Sequence, residues 1–195
     1  MITDISALDP QKTYTYADYL KWQFKERVEL IKGKIYKMSP APGRLHQKTS
    51  NILASEITWF LKGKSCELYT APFDVRFPIG KEMNKTFTVV QPDICIICDK
   101  SKLDEKGCLG APDMIIEILS PKSAKKDIKD KFQLYEENGV REYWIISPEN
   151  KVVDVFVLKE DKKYHLIGKF ADDDKVKVNI FDGLEINLAD IFTES

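Results

Sequence analysis

The run from Asp113 to Leu119 is apolar at every position except its first residue and Glu117. Closed by Ser120-Pro121, such a run reads as a strand covered on both faces. A helix of amphipathic pattern follows from about Ala124 to Asn138, with Gly139 as its C-terminal cap and Glu142 to Ile146 as the next strand. A strand-helix-strand crossover constrains the chain sharply. Both strands join one sheet, and the helix must lie over that sheet's face.

The remaining elements fit around this unit. Tyr16 to about Arg27 reads as a helix with Thr15 as N-cap. Val28 to Ile31 and Ile35 to Met38 flank Lys32-Gly33-Lys34 as a hairpin. The loop Ser39 to Gly43 opens a second helix, about Arg44 to Leu61, with Leu45, Thr49, Ile52, Leu53, Ile57 and Phe60 at helical spacing. Cys66 to Thr70, Phe73 to Phe77 and Phe87 to Cys98 read as strands, Pro78 to Lys85 as a polar turn, and Lys100 to Gly107 as a charged loop. A β-rich tail follows: Val152 to Leu158, Tyr164 to Phe170 and Val176 to Ile180. The order predicts a mixed α/β (α+β) fold, with residues 1–195 as one domain.

Composition narrows the class. No apolar run reaches the roughly 18 residues of a membrane span, and Met1 to Pro10 lacks a secretory-signal pattern. The expectation is a cytoplasmic protein. With 30 basic and 31 acidic residues the formal net charge is -1, which argues against tight non-specific DNA binding, although Lys122, Lys125, Lys126, Lys129 and Lys131 form a local basic patch. Cys95 and Cys98 form a C-x-x-C, but on a strand residues three apart point to opposite faces and cannot share a metal. Cys66 and Cys108 supply no second pair, so the four cysteines read as small buried residues in a reducing compartment.

Two carboxylates, Asp93 and Glu117, stand inside strand-like apolar runs. Buried carboxylates pair with cations or bind metals. Parity puts Asp113, Ile115 and Glu117 on one strand face, and Asp93, Cys95 and Ile97 on one face of the earlier strand. If those strands are neighbours, Asp93 and Glu117 converge. In the Ala124–Asn138 helix, Lys131 falls about 40° from Asp127, between Leu134 at about −20° and Tyr135 at about 80°. It therefore lies in the arc that packs on the sheet. Two inward carboxylates and an inward lysine suit Mg²⁺ (with Mn²⁺ able to substitute), which often uses only one or two carboxylates and keeps its waters. Such an ion polarises a scissile phosphate and helps form hydroxide, while the lysine stabilises developing charge. His46 can touch a phosphate or act as acid or base, and Asp127 can orient Lys131 from four residues away.

Three stretches carry a family resemblance. One is Glu29 to Ile35 followed by Met38-Ser39-Pro40 and His46. The second is Gln91-Pro92-Asp93. The third runs from Gly110 through Asp113, Glu117 and Pro121 to Asp127, Lys131, Tyr135, Gly139 and Glu142-Tyr143-Trp144. Their order and spacing, over roughly residues 10 to 190, resemble the Uma-type restriction-endonuclease family, a branch of the PD-(D/E)XK nucleases. The resemblance implies a restriction-endonuclease-like core, a mixed sheet flanked by helices, and magnesium-dependent nuclease chemistry. It matches Asp93 to the aspartate of the "PD" element, Glu117 to the acid of the "(D/E)XK" element, and Glu29 to an upstream glutamate that joins the metal site. One departure stands out: Leu119 occupies the place of the lysine two residues after the acid, and Lys131 is its natural substitute. Asp113 ranks second to Asp93.

The expected function is therefore DNA phosphodiester hydrolysis, with RNA as the other nucleic-acid candidate. Catalytic residues are Glu29, Asp93, Glu117 and Lys131, with Glu29, Asp93 and Glu117 holding the metal. His46, Asp113 and Asp127 are accessory candidates. Two cuts in a duplex favour a homodimer. The alternatives are a catalytically inactive binding or assembly module on the same fold, and a structural ion-pair cluster. The last predicts that Lys131 pairs directly with Glu117 and leaves no room for metal.

Overall fold

The computed structural model describes residues 2–38, 42–79, 85–120 and 125–192, apart from the side chains of residues 125–127. The first of its two large sheets contains β1 (Val28–Ile31), β2 (Lys34–Lys37), β4 (Val75–Pro78), β5 (Thr86–Val90), β7 (Leu103–Asp104) and β8 (Gly107–Leu109), in the order β2-β1-β5-β4-β8-β7. The second contains β3 (Glu67–Thr70), β6 (Ile94–Ile97), β9 (Met114–Ile118), β10 (Glu142–Ser147), β11 (Val152–Leu158) and β12 (Tyr164–Ala171), in the order β12-β11-β10-β9-β6-β3. Both sheets are mixed: β4 runs parallel to β8, β9 parallel to β10, and the other pairs are antiparallel. Helices α1 (Tyr16–Tyr19), α2 (Arg44–Leu61), α3 (Lys125–Asn138) and α4 (Leu188–Ile191) flank them, and β13 (Lys175–Lys177) pairs with β14 (Glu185–Asn187) near the end. Among the described residues no helix is long and apolar enough to cross a membrane.

The crossover forms as the pattern demands. β9, α3 and β10 make a parallel unit with Glu142 opposite Met114 and Ile146 opposite Ile118. Side-chain alternation on β9 then feeds two different cores. Met114, Ile116 and Ile118 pack with Leu53 and Ile57 of α2 and with Leu188 and Ile191 of α4. Ile115 packs on the opposite side with Leu134 and Tyr135 of α3 and with Val75, Phe77 and Val90 of the first sheet. Glu117 shares the Ile115 face by parity, so it enters the space between β9, α3 and the first sheet.

Where local geometry agreed with sequence, the elements match. Lys32 and Gly33 both take positive φ (50° and 77°) in the two-residue β1–β2 turn, the pattern that fits a hairpin's twist. A Cβ on Gly33 would collide with Thr13 Cγ2. Gly139, at φ 83°, follows the last turn of α3.

Five expectations change. The Phe87–Cys98 run is two strands in different sheets, β5 and β6, broken at Gln91-Pro92-Asp93. Proline cannot donate to a ladder, so the chain leaves one sheet there and enters the other. The helix expected to reach Arg27 ends at Tyr19. Gln23 N–H donates to the Ile2 carbonyl, and Trp22 packs on Tyr14, Tyr19 and Phe24, which draws the chain away from the helix axis. The tail strand expected at Val176–Ile180 is shorter, β13 ending at Lys177 and pairing with β14, and the charged loop after Lys100 contains β7. Finally, Cys66 and Cys98 form a disulfide, and only Cys95 and Cys108 are free and buried. Antiparallel pairing of Glu67 with Ile97 places the two flanking cysteines opposite each other, and the cysteine argument for a reducing compartment falls with that bond. The expected loop residues Ser39-Pro40-Ala41, the tip of the Pro78–Lys85 turn, the strand stop at Pro121 and the helix start at Ala124 lie outside the described residues.

Candidate metal centre

The break at Gln91-Pro92-Asp93 delivers the first carboxylate. β6 pairs with β9 in the register Ile94 to Ile116, so one step further Asp93 stands opposite Glu117. Neighbouring antiparallel residues bring their Cβ atoms within about 5 Å. Asp93 is further fixed by the Ile118 N–H, which donates to its Oδ2 at 2.7 Å.

Glu117 is reached from α3. Lys131 Nζ lies 3.1 Å from Glu117 Oε1 and 3.1 Å from Glu29 Oε1. It is 8 % exposed, and Glu29, on β1, is 4 % exposed. The backbone N–H of Gln91 donates to Glu29 Oε1 at 2.9 Å. The Tyr135 hydroxyl, one helical turn beyond Lys131, donates to Glu117 Oε1 at 2.7 Å. The other side of the centre is α2, where His46 Nε2 lies 3.2 Å from Asp93 Oδ2 while its buried Nδ1 has no partner among the described residues. Four elements and the β5–β6 junction thus bring Glu29, His46, Asp93, Glu117 and Lys131 to one place.

Asp113 is not brought there. It lies at the other end of β9, where Oδ2 accepts the Cys98 N–H at 2.8 Å and Oδ1 meets Arg141 Nη1 at 3.1 Å. The side chain of Asp127 lies outside the described residues. Tyr135 and Gln91 complete the cluster without having been singled out for it. Tyr135 carried a readable signal, being a phenol on the same inward arc as Lys131, where a buried hydroxyl needs a partner. Gln91 contributes a backbone N–H, which no residue identity advertises.

The electrostatics are those of surplus negative charge. Burial is the largest cause raising the Glu117 carboxyl, to about 7; Lys131 opposes the shift, and the charges of Asp93 and Glu29 add to it. His46 is raised above its ordinary value: burial lowers it, but the hydrogen bond and charge of Asp93, helped by Glu117 and the Ile118 backbone, prevail. Three carboxylates face one ammonium and one imidazole.

The donor set suits a small hard cation. Among the described residues no group of three or more His, Cys, Asp or Glu side chains is arranged to hold a metal ion. Magnesium, however, needs only one or two carboxylates beside its waters. Asp93 Oδ1 and Glu117 Oε2 have no hydrogen-bond partner among the described residues, while the other oxygen of each is fixed. The contact between Lys131 and Glu117 is the one that the structural ion-pair reading predicts. Two open oxygens on adjacent strands are a feature that reading leaves unexplained.

An acidic centre at the meeting of two mixed sheets and a crossover helix defines the class, and comparison with known proteins assigns the family. Residues 16–189 match the family model Uma2, described as "Putative restriction endonuclease", and the chain belongs to that family. The crystal structure titled "a putative nuclease belonging to DUF820", from Anabaena variabilis, superposes with a TM-score of 0.71 at 23% identity, covering 92% of this chain and 97% of that one, and confirms the fold. A relative from Synechocystis sp., described only as uncharacterized protein slr1290, is 26% identical over 159 residues, 80% of each chain.

Proposed function

We propose that this protein is a divalent-metal-dependent endonuclease that hydrolyses phosphodiester bonds in DNA, with Mg²⁺ as its ion. The observation that carries the reading is the position of Asp93, just before β6, opposite Glu117 of β9, each with one oxygen fixed and the other without a hydrogen-bond partner among the described residues. Asp93 and Glu117 would hold the metal, and the second oxygen of Glu29 is the third candidate donor. When bound, the ion supplies Lewis acidity toward the phosphate and a lowered pKa for its water. Lys131 sits between Glu29 and Glu117 and steadies charge that develops beside them. Tyr135 holds the Glu117 carboxylate in one orientation, and His46 does the same for Asp93. Family membership supports the nuclease chemistry. As a homodimer, two such centres would cut both strands of a duplex.

Calorimetric titration of Mn²⁺ into the wild-type protein and Glu117→Ala tests the centre without knowledge of the cleavage site. Saturable binding lost in the variant is the expected result and justifies assays on DNA and RNA. Equal, negligible heats in both would favour the catalytically inactive binding or assembly module.

A further inference from the structure

Arg27 stands at the rim of this centre. It precedes β1 and continues the hairpin ladder by one pair, since its carbonyl accepts the Met38 N–H at 3.0 Å. Two residues before Glu29, it projects to the same strand face, about 7 Å along. Its guanidinium is exposed yet held: Nη2 and Nε donate to Gln91 Oε1 at 2.6 and 3.1 Å. Gln91 cannot turn its amide over, because Nε2 donates to Asp74 Oδ1 at 2.8 Å and to the Tyr19 hydroxyl at 3.4 Å. The same residue's N–H grips Glu29, and Asp93 follows two residues later.

What Arg27 lacks among the described residues is a direct ion pair; Asp74, on the far side of Gln91, feels its charge without touching it. Among the described residues no carboxylate lies within ion-pair distance of it, whereas Arg76 and Arg141 are committed to Asp104 and Asp113. Five N–H donors on a fixed plane match phosphate or carboxylate oxygens, and Gln91 Oε1 takes only two of them. A full positive charge is thereby held in solvent beside a centre with surplus carboxylates. That placement suits a polyanion whose reacting phosphate enters the centre while its neighbour lies outside.

We infer that Arg27 is a phosphate-binding residue, receiving the DNA backbone phosphate next to the one at the Asp93–Glu117 centre. The inference rests on the nuclease reading. Gln91 is its positioning partner, linking the grip on Glu29 to the orientation of the guanidinium.

The experiment is fluorescence anisotropy of a labelled 20-base-pair DNA duplex, with Ca²⁺ in place of Mg²⁺, over a KCl series. Wild type, Arg27→Gln and Arg27→Lys are compared. Arg27→Gln should weaken binding about tenfold and reduce the slope of log Kd against log [KCl] by about one. Arg27→Lys should restore the slope and only part of the affinity, because the charge returns without the planar fork. Inorganic phosphate at equal ionic strength should compete no better than chloride if the site needs a polymer backbone. Wild-type binding with an unchanged affinity and slope in Arg27→Gln overturns the assignment and leaves the nuclease reading standing. A wild-type protein that does not bind the duplex overturns both. Arg27 is exposed and its backbone bonds survive substitution, and unchanged melting of the variant separates lost binding from lost folding.

Discussion

At the residue scale the unusual member of the centre is Glu117. An ionised carboxylate there is disfavoured by burial and by Asp93 and Glu29, and Lys131 only partly offsets this. Its folded pKa, about 7, lies above its ordinary value of 4.5. Between those values the folded state binds more protons than the unfolded one, so stability declines as pH rises from about 4.5 to about 7. His46, also raised above its ordinary 6.5, adds stability that is full below that value and lost as pH climbs through its folded pKa. Metal-free protein should therefore melt at progressively lower temperature across this range. Glu117→Gln, which carries no titrating proton, should remove the decline below pH 6 and leave the His46 part above it. A melting series at constant ionic strength checks this, and an unchanged slope in the variant would show that Glu117 is not the group responsible. Tyr135 contributes differently. By donating to Oε1 alongside Lys131, it occupies that oxygen, and Oε2 has no hydrogen-bond partner among the described residues.

At the element scale, β3 is an edge strand with one hydrogen-bonded neighbour, β6, and the Cys66–Cys98 disulfide joins the two at one end. The bridge closes a loop with a sequence separation of 32. A loop of that size restricts the unfolded chain by about 3–4 kcal/mol in the chain-entropy model. Reduction, or Cys66→Ser with Cys98→Ser, should lower the urea midpoint accordingly without altering β9 or α3. An unchanged midpoint under reducing conditions would deny the bridge any role in stability. The bridge also shows where sequence stops being informative. Strand alternation placed Cys95 and Cys98 on opposite faces, which holds, but nothing local says that Cys66 lies across from Cys98. That depends on register between strands separated by β4 and β5. The centre divides along the same line. The inward turn of Lys131 and the parity of Glu117 follow from one element's own periodicity, and both were legible. The division of Phe87–Cys98 was marked only by Pro92, because both halves bury apolar residues in the same pattern. The shortened α1 depends on Ile2 and Trp22 meeting, a contact between distant segments that propensity does not encode. Tyr135 and Asp113 swap importance for a similar reason: each contact is set by what lies across the gap.

At the scale of the whole molecule, a chain of formal net charge -1 concentrates three carboxylates where two sheets and two long helices meet. Its charge is nearly balanced overall and strongly acidic at one point. Folding must hold that surplus together, and a divalent cation relieves it only in the folded state, since the unfolded chain separates Glu29, Asp93 and Glu117. Binding to the folded state alone stabilises by mass action, about 2.7 kcal/mol at a hundred times Kd. For a chain of this length that corresponds to a rise in Tm of roughly 5–10 °C. Mn²⁺ or Mg²⁺ should produce this rise, and K⁺ at equal ionic strength should not, because the effect belongs to coordination rather than screening. The rise should be largest near and above neutral pH, where Glu117 is ionised before metal arrives, and small near pH 5, where proton and metal compete for it. Glu117→Ala should abolish it, whereas Asp113→Asn, whose carboxylate serves Cys98 and Arg141 instead, should lower Tm yet keep the metal-induced increment. Scanning calorimetry of the three proteins with and without Mn²⁺ at two pH values decides the matter. An equal increment in wild type and Glu117→Ala would move the ion away from this centre and return Lys131 to a purely structural role.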